Sequence, residues 1–381
     1  MEGIVEAIFL KRPNRFVAEC LVGDRIVQAH LPNPGRMWEL LFPGRTMFLL
    51  PKVSEGMRTQ FRVVGIERDG VPIMLDTHYN NDVAAELITT KNIKGWEDWE
   101  VLRREVTFGA SRFDLLLGRG EERKIVEVKS CTLFGKETAM FPDAITERGR
   151  KHLLELAELS SCGWQAGVLF LVHWPQARWF LPDYHTDLAF SRTLSELRNV
   201  LDIKAAALEW YRDLTLGDEV RDLPIPWSVV DREAHDGGVY MVVLYMEENK
   251  TLLIGSKGLF HFPKGYYVYV GSAKHNLGKR LDRHQRKRKN FHWHIDYLRD
   301  SASFIAALPI RTTAMVEHEL ATAVSAVADW TIPGFGASDC GCETHLFGMH
   351  SDPVHTPAFM DVVQEFRMDR LQELIHLTPS G

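Results

Sequence analysis

The sequence predicts a multidomain α/β and α+β chain: an N-terminal β-barrel over residues 1–75, an α/β domain over 76–228, an α+β domain over 232–355 and a helical tail over 356–381. Three observations predict it. Short apolar runs broken by turn residues fill the first part. A continuous apolar run, Gly167 to Val172, follows an amphipathic helix in the middle. A linker carrying Pro224 and Pro226 then precedes a unit in which tyrosines sit beside glycines. A length of 381 residues exceeds what one ordinary core organises.

In the first part, Val17–Val22, Arg25–Ala29, Thr46–Leu50 and Phe61–Ile66 read as strands, punctuated by Asn33-Pro34-Gly35, Pro43-Gly44 and Asp69-Gly70. Short strands of this number suit a small OB-like barrel. In the second part Val83–Ile88 reads as helix, and Phe113–Leu117 and Lys124–Lys129 as strands paired across a turn at Gly118–Glu122. Thr146–Leu159 reads as a helix with Leu153, Leu154, Leu156, Ala157 and Leu159 on or near its buried side. Gly167–Val172 is apolar throughout, as in a sheet covered on both faces. In the third part Val239–Met246, Thr251–Ser256 and Tyr266–Ser272 read as antiparallel strands, followed by helices over Asn276–Lys289 and Ala314–Ala328. Asp361–Leu377 reads as a short amphipathic helix.

Hydrophobic residues make up 45% and charged residues 25%, the balance of a soluble globular protein. The net charge of −6 argues against a uniformly basic polyanion binder, but a local basic patch still steers nucleic acid. Five thinly spread cysteines favour a reducing compartment over a disulfide framework. Neither a signal peptide nor an apolar run of membrane-spanning length is visible, so the expectation is a cytoplasmic protein.

The first chemistry-bearing set is Asp114, Glu127 and Lys129. Residues two apart on a strand face the same side, so Glu127 and Lys129 point together, and a neighbouring strand brings Asp114 beside them. Two carboxylates and a lysine suit metal-assisted phosphodiester hydrolysis. Asp114 and Glu127 would hold Mg²⁺ or Mn²⁺ with the Val128 carbonyl, Lys129 would position water, and Glu86 is a further acidic candidate. The plain alternative is a cross-strand ion pair. Four segments occur in register around the set: Pro32–Met37, Gly109–Asp114, Glu127–Leu133 and Phe141–Gly149. Together they resemble the sugar fermentation stimulation protein A family over residues 12–222. The resemblance implies an OB-like part, a restriction-endonuclease-like PD-(D/E)XK part, DNA binding, and Asp114, Glu127 and Lys129 as the catalytic set. Pro34 departs from the family's usual Thr. Arg36 and the surrounding Arg112, Arg148, Arg150, Lys151 and His152 are candidate phosphate contacts, against the reading of a solvated face.

The second set is Tyr240, Tyr269, Arg280, His284 and Glu317. Gly238-Val239-Tyr240 and Tyr269-Val270-Gly271 aim phenols past glycines, and Arg280 and His284 share a helix face at i, i+4. Tyr240, assisted by Tyr269 or His284, suits the base, Arg280 the developing phosphate charge, and Glu317 (or Glu319) a metal ion. Arg283, Arg286, Lys287, Arg288 and Lys289 form the densest basic run, with Phe291 and Trp293 beyond it for stacking. These residues resemble the GIY-YIG nuclease superfamily, and more closely a branch of unknown function marked by 269–273, 292–298 and 334–342. The resemblance implies an α+β nuclease domain; Ser272 stands where some relatives place lysine. Cys340, Cys342 and His345 invite a zinc reading, with His292, His294 or His350 as the fourth ligand, against a buried cysteine pair. His292 and His294 would share a face on a strand.

The function expected is DNA-binding, metal-dependent phosphodiester cleavage at two sites. The alternatives are a non-cutting DNA-binding regulator and processing of RNA or mobile elements by the same chemistry.

Overall fold

Hairpin logic builds the first barrel. In the computed structural model, which describes all residues except 2, 53–58, 110, 337–340 and 378–381, strands β1 (Val5–Asn14), β2 (Val17–Val22) and β3 (Arg25–His30) form an antiparallel meander. The β2–β3 turn is two residues long and begins at Gly23 with φ 56°, a left-handed conformation that glycine adopts without a Cβ clash. β4 (Thr46–Pro51), β5 (Phe61–Arg68) and β6 (Val71–Met74) complete the order β3-β2-β1-β4-β5-β6, and parallel pairing of β3 with β5 closes the barrel. Phe9, Ala18, Cys20, Met47, Leu49 and Val63 fill it.

Helix α1 (Asn80–Thr89) leads into the α/β part. β7 (Glu100–Phe108), β8 (Ser111–Arg119) and β9 (Glu122–Cys131) are antiparallel, with Arg119 opposite Glu122 at the expected turn. β10 (Leu133–Phe134) and β11 (Thr138–Phe141) start a small side sheet. Helix α2 (Glu147–Ser161) is capped by Thr146, whose hydroxyl accepts the Gly149 N–H at 3.0 Å. It buries Leu153 and Leu156; Leu154, expected on the buried side, faces solvent. β12 (Gln165–Val172) runs parallel to both β9 and β14 (Asp202–Trp210), which explains its unbroken apolar sequence. β13 (Trp179–Pro182) joins the side sheet, α3 spans Leu188–Glu196, and β15 (Leu216–Asp222) ends the main sheet, ordered β15-β14-β12-β9-β8-β7.

The chain divides into two compact units. The first contains the barrel and the α/β part; the second runs from Asp231 to Leu371 and includes Tyr184–Leu188. Between them in sequence lies α4 (Trp227–Glu233). The second unit is built on the antiparallel order β20-β16-β19-β22-β21. Its elements in chain order are β16 (Gly238–Met246), β17 (Lys250–Leu253), β18 (Leu259–Phe262), β19 (Gly265–Ala273), α5 (Leu277–Gln285), α6 (His294–Ser301), β20 (Ser303–Arg311), α7 (Glu317–Val327), β21 (Trp330–Thr331) and β22 (Leu346–Met349). After it come α8 (Pro357–Gln364), a π-helical turn Glu365–Asp369 and α9 (Leu371–His376), where one amphipathic helix was expected. The β20 strand, unexpected from sequence, pairs with β16 over most of its length. No helix among the described residues is long and apolar enough to cross a membrane.

Each unit buries a neutral histidine. In the first, His173 Nδ1 accepts the Trp210 indole N–H at 3.1 Å, so its Nε2–H faces the Ser130 hydroxyl at 3.0 Å. In the second, His185 Nδ1 accepts the Arg311 N–H, and its Nε2–H donates to the Arg367 carbonyl, both at 2.9 Å. Burial pushes His173 down to about 3, and His185 well below the usual range. Above about pH 6.5 neither folded nor unfolded chain protonates these rings. As pH falls below that, the unfolded chain takes up a proton that the folded one refuses, and stability is lost down to the folded value. For His173 we expect the first unit to lose about 2 kcal/mol between pH 7.5 and 5 in urea unfolding. His173→Gln should flatten that slope; an unchanged slope would show that His173 is not its source.

Candidate functional site

The β8–β9 ladder runs from Arg119–Glu122 to Leu115–Val126. Just past its end, the Val128 N–H donates to Asp114 Oδ2 at 2.7 Å instead of to a strand carbonyl. Asp114 Oδ1 accepts from the Asn81 amide at 2.9 Å, an interaction made by the first turn of α1. Glu86, the acidic candidate on that helix, is exposed and takes no part, because it lies on the outer face of α1.

Glu127 is 4% exposed. Its Oε1 takes both the Lys129 ammonium at 2.5 Å and His152 Nδ1 at 2.6 Å. Arg148 Nε approaches the other ring nitrogen, Nε2, at 3.4 Å, so the tautomer with a proton on Nδ1 satisfies both contacts. Glu127 Oε2 is buried and has no hydrogen-bond partner among the described residues. A buried carboxylate oxygen without a partner is costly, and a cation is its natural complement. Burial and the neighbouring Glu127 raise Asp114 above the ordinary carboxylate range. For Glu127 burial acts upward, but the His152 hydrogen bond and the Lys129 charge outweigh it, and the group stays low. The sequence missed Asn81 and set His152 among the phosphate contacts, whereas the structure turns it onto Glu127; an Asn in the first turn of a helix and a His on a helix face carry no local signal of such a partner.

A cleft of about 240 Å³ adjoins this set, lined by Arg15, Asn33, Gly35, Lys129, Ser130 and Asp143 among others. The barrel loop forms one wall and is pinned from both sides. Arg12 donates to the carbonyls of Gly35 at 2.7 Å and Arg36 at 2.8 Å, while Asp143 accepts the Met37 N–H at 3.1 Å. A Cβ on Gly35 would stand 2.4 Å from Asp143 Oδ2, so only glycine fits. Pro34 is exposed and contributes its carbonyl, which accepts from Arg15 at 3.1 Å; its departure from Thr therefore leaves the loop's backbone contacts in place. Arg36 stacks over Trp38 at 5.0 Å. Arg112, Arg148 and Lys151 are exposed, Arg112 beside Glu105 and Lys151 beside Glu155, both at 3.5 Å.

In the second unit β16 and β19 place Tyr240 opposite Gly271. A Cβ at Gly271 would meet the Tyr240 hydroxyl at 2.6 Å. That hydroxyl lies 3.0 Å from His284 Nε2 and is also bonded by Arg280, whose Nη1 donates to the Ser272 carbonyl at 2.6 Å. Glu317, at the start of α7, pairs with His345 Nδ1 at 3.2 Å and accepts from the Ser272 hydroxyl. Burial, then the charge of Glu317, pushes Tyr269 up to about 12; burial and Tyr269 raise Tyr240 further still. Burial and Lys289 hold His284 down at about 4. The structure thus brings Tyr240, Tyr269, Arg280, His284 and Glu317 together, whereas Glu319 is exposed on the far side of the first turn.

The basic run is arranged differently from expectation. Helix α5 ends at Gln285, so Arg286–Lys289 lie beyond it. Arg283 and Lys289 each reach buried Asp296 at 2.7 Å, and Asp296 also accepts the N–H groups of His292 and Trp293. Those two cations stabilise the fold; Arg286, Lys287 and Arg288 remain exposed. His292 and His294 do not share a strand: Trp293 caps α6, and Arg280 and Arg283 stack on its ring at 4.9 and 4.8 Å. Of the expected zinc ligands, Cys340 lies outside the described residues. Cys342 and His345 group with His318, which the sequence reading did not single out, and not with His292, His294 or His350.

Residues 10–75 match the N-terminal OB domain of sugar fermentation stimulation proteins, and residues 78–212 match their RE domain. A homolog from Clostridium tetani is 37% identical over 223 residues, covering 58% of this chain and 97% of its own. The chain belongs to the sugar fermentation stimulation protein family. A Methanothermobacter thermautotrophicus homolog is 39% identical over 194 residues, 51% of this chain and 81% of that one. The solved structure of Pyrococcus furiosus SfsA in complex with Ca²⁺ is similar at 30% identity with a TM-score of 0.54, covering 59% of this chain and 96% of that chain. Residues 239–368 match a domain of unknown function, DUF123, so in this chain the family's two domains are followed by a third.

The Tyr240–Gly271 contact gives a direct check. Gly271→Ala should destabilise the second unit by about 1–3 kcal/mol in chemical denaturation, because the phenol must leave His284. Gly341→Ala, whose Cβ meets nothing within 4 Å, should be near neutral. Equal effects would mean that the close approach is not maintained in solution.

Proposed function

We propose that this chain is a DNA-binding, divalent-cation-dependent phosphodiesterase whose principal site is Asp114, Glu127 and Lys129. The observation that carries the reading is the buried, unpartnered Glu127 Oε2 beside the raised carboxyl of Asp114. Oxygens from two carboxylates would form a hard anionic site suited to Mg²⁺ or Mn²⁺. The Ca²⁺ complex of the Pyrococcus furiosus relative supports divalent-cation binding in this family. A bound cation would supply charge neutralisation at the phosphate and a lowered pKa for an attacking water. His152 and Asn81 hold the carboxylates in place. Lys129, which leans on Glu127 at 2.5 Å, becomes available to orient water or a phosphate oxygen once a cation shares that carboxylate. Arg15, Arg36 and the exposed Arg112, Arg148 and Lys151, all in the same unit, would receive backbone phosphates.

The second unit carries a further site, which we read as GIY-YIG-type. Arg280 bonds the Tyr240 oxygen, and the hydroxyl lies 3.0 Å from His284 Nε2; with the ring proton on Nδ1, loss of the phenol proton to His284 would generate a phenolate beside a guanidinium. Glu317 is the metal candidate. Both phenols titrate well above neutrality here, so base action needs substrate and cation in place.

The test uses the full chain with supercoiled plasmid, branched DNA and RNA, in Mg²⁺ or Mn²⁺. We expect metal-dependent products on DNA, reduced at least about 100-fold by Asp114→Ala and by Glu127→Gln while DNA binding persists. Tyr240→Phe should remove only those products that survive Asp114→Ala. Retained binding with no products from the unmodified chain would instead identify a non-cutting DNA-binding protein, and products on RNA alone would move the substrate class.

A further inference from the structure

The second unit holds a cluster that the phosphodiesterase reading does not use. His318 follows Glu317 in the first turn of α7, while Cys342 and His345 come from the segment leading into β22. One ligand atom from each of the three lies within 4.8 Å of the others, and His318 Nδ1 is 3.0 Å from Cys342 Sγ. Ligands of a tetrahedral zinc ion, at about 2.0–2.1 Å for nitrogen and 2.3 Å for sulfur, stand roughly 3.3–3.8 Å apart. The 3.0 Å pair and the 4.8 Å outer limit bracket that spacing, so small side-chain shifts reach it. A thiolate and two imidazoles are soft and borderline donors that favour Zn²⁺ over Mg²⁺, in contrast to the oxygen pair at Asp114 and Glu127.

We propose that His318, Cys342 and His345 bind a zinc ion, with water in the fourth position, and that this ion positions Glu317. The placement of His345 supports the second clause. Its Nδ1 faces Glu317 Oε1 at 3.2 Å, so ligation falls to Nε2. That is a carboxylate–histidine–metal relay, in which the outer carboxylate fixes the ring and the ring in turn fixes the carboxylate. Glu317 also accepts from Ser272, the residue whose carbonyl holds Arg280. Zinc would therefore lock α7 to the segment before β22 and set Glu317, whose charge acts on both Tyr240 and Tyr269. His318 is exposed and His345 is buried, so the ion would close the surface end of an otherwise packed wall. The site stands whether or not the chain cuts nucleic acid.

The experiment is metal loading of the full chain, stripped with chelator, incubated with Zn²⁺ or Co²⁺ and desalted. One equivalent of zinc should be retained, and Co²⁺ should give the intense visible bands of four-coordination plus a near-ultraviolet thiolate charge-transfer band. His318→Gln, a change at an exposed position, should weaken zinc binding at least about 100-fold. Cys342→Ser should abolish the charge-transfer band. Glu317→Gln should retain the ion with affinity lowered about 10–100-fold. The double variant Asp114→Ala, Glu127→Gln should keep its zinc unchanged, which separates this site from the one in the first unit. Zinc retention unaffected by both His318→Gln and Cys342→Ser, a weak six-coordinate cobalt spectrum, or no retained metal would each overturn the proposal.

Discussion

One buried carboxylate organises the first unit. Glu127 enters the core because β9 is hydrogen-bonded on both sides, to β8 and to β12, and the parallel run against β12 continues past Glu127 to Cys131. A charge at that depth persists only with partners. Lys129 and His152 share one oxygen, and the other is buried without a hydrogen-bond partner among the described residues, near enough to Asp114 for the two charges to interact. The rest of the unit serves that arrangement. Helix α1 contributes Asn81, helix α2 contributes His152, and the barrel supplies the loop that Asp143 and Arg12 hold at the edge of the cleft.

What the sequence reveals of this follows from the range of the interactions involved. The pairing of Glu127 with Lys129 was legible because strand geometry repeats every two residues. The central place of β12 was legible because a strand covered on both faces must be apolar throughout. Asn81 and His152 were not, since their roles depend on where α1 and α2 dock. The same division holds in the second unit. Tyr240 and Gly271 announce themselves, as does the Arg280/His284 spacing. The end of α5 at Gln285 was hidden, because four basic residues beyond it continue a helical composition. Asp296 explains the difference: it draws Arg283 and Lys289 inward and caps the chain at His292 and Trp293. A charge run read as one basic face therefore splits into two cations that stabilise the fold and three that face solvent.

The two units place different demands on a cation. At Asp114 and Glu127 the donors are oxygens, one raised by burial and its neighbour, the other kept ionised by a histidine and a lysine. Around Glu317 the oxygen donor is bound to an imidazole next to a second imidazole and a thiol. With both proposed sites filled, one chain would allow separate occupation: a carboxylate site would exchange Mg²⁺ while a Cys/His site would keep zinc as part of the fold. The relatives that match the first two domains show that this part occurs as a unit of its own, to which this chain adds the DUF123 segment.

The central claim is that Glu127 Oε2 and Asp114 together hold a divalent cation. Anomalous diffraction from crystals soaked in Mn²⁺ tests it most directly. The account predicts a peak at roughly 2.0–2.6 Å from Glu127 Oε2 and from an Asp114 oxygen, with the Lys129 ammonium moved off the carboxylate. Anomalous peaks elsewhere, with Glu127 still holding Lys129 and His152 and its second oxygen untouched, would contradict it.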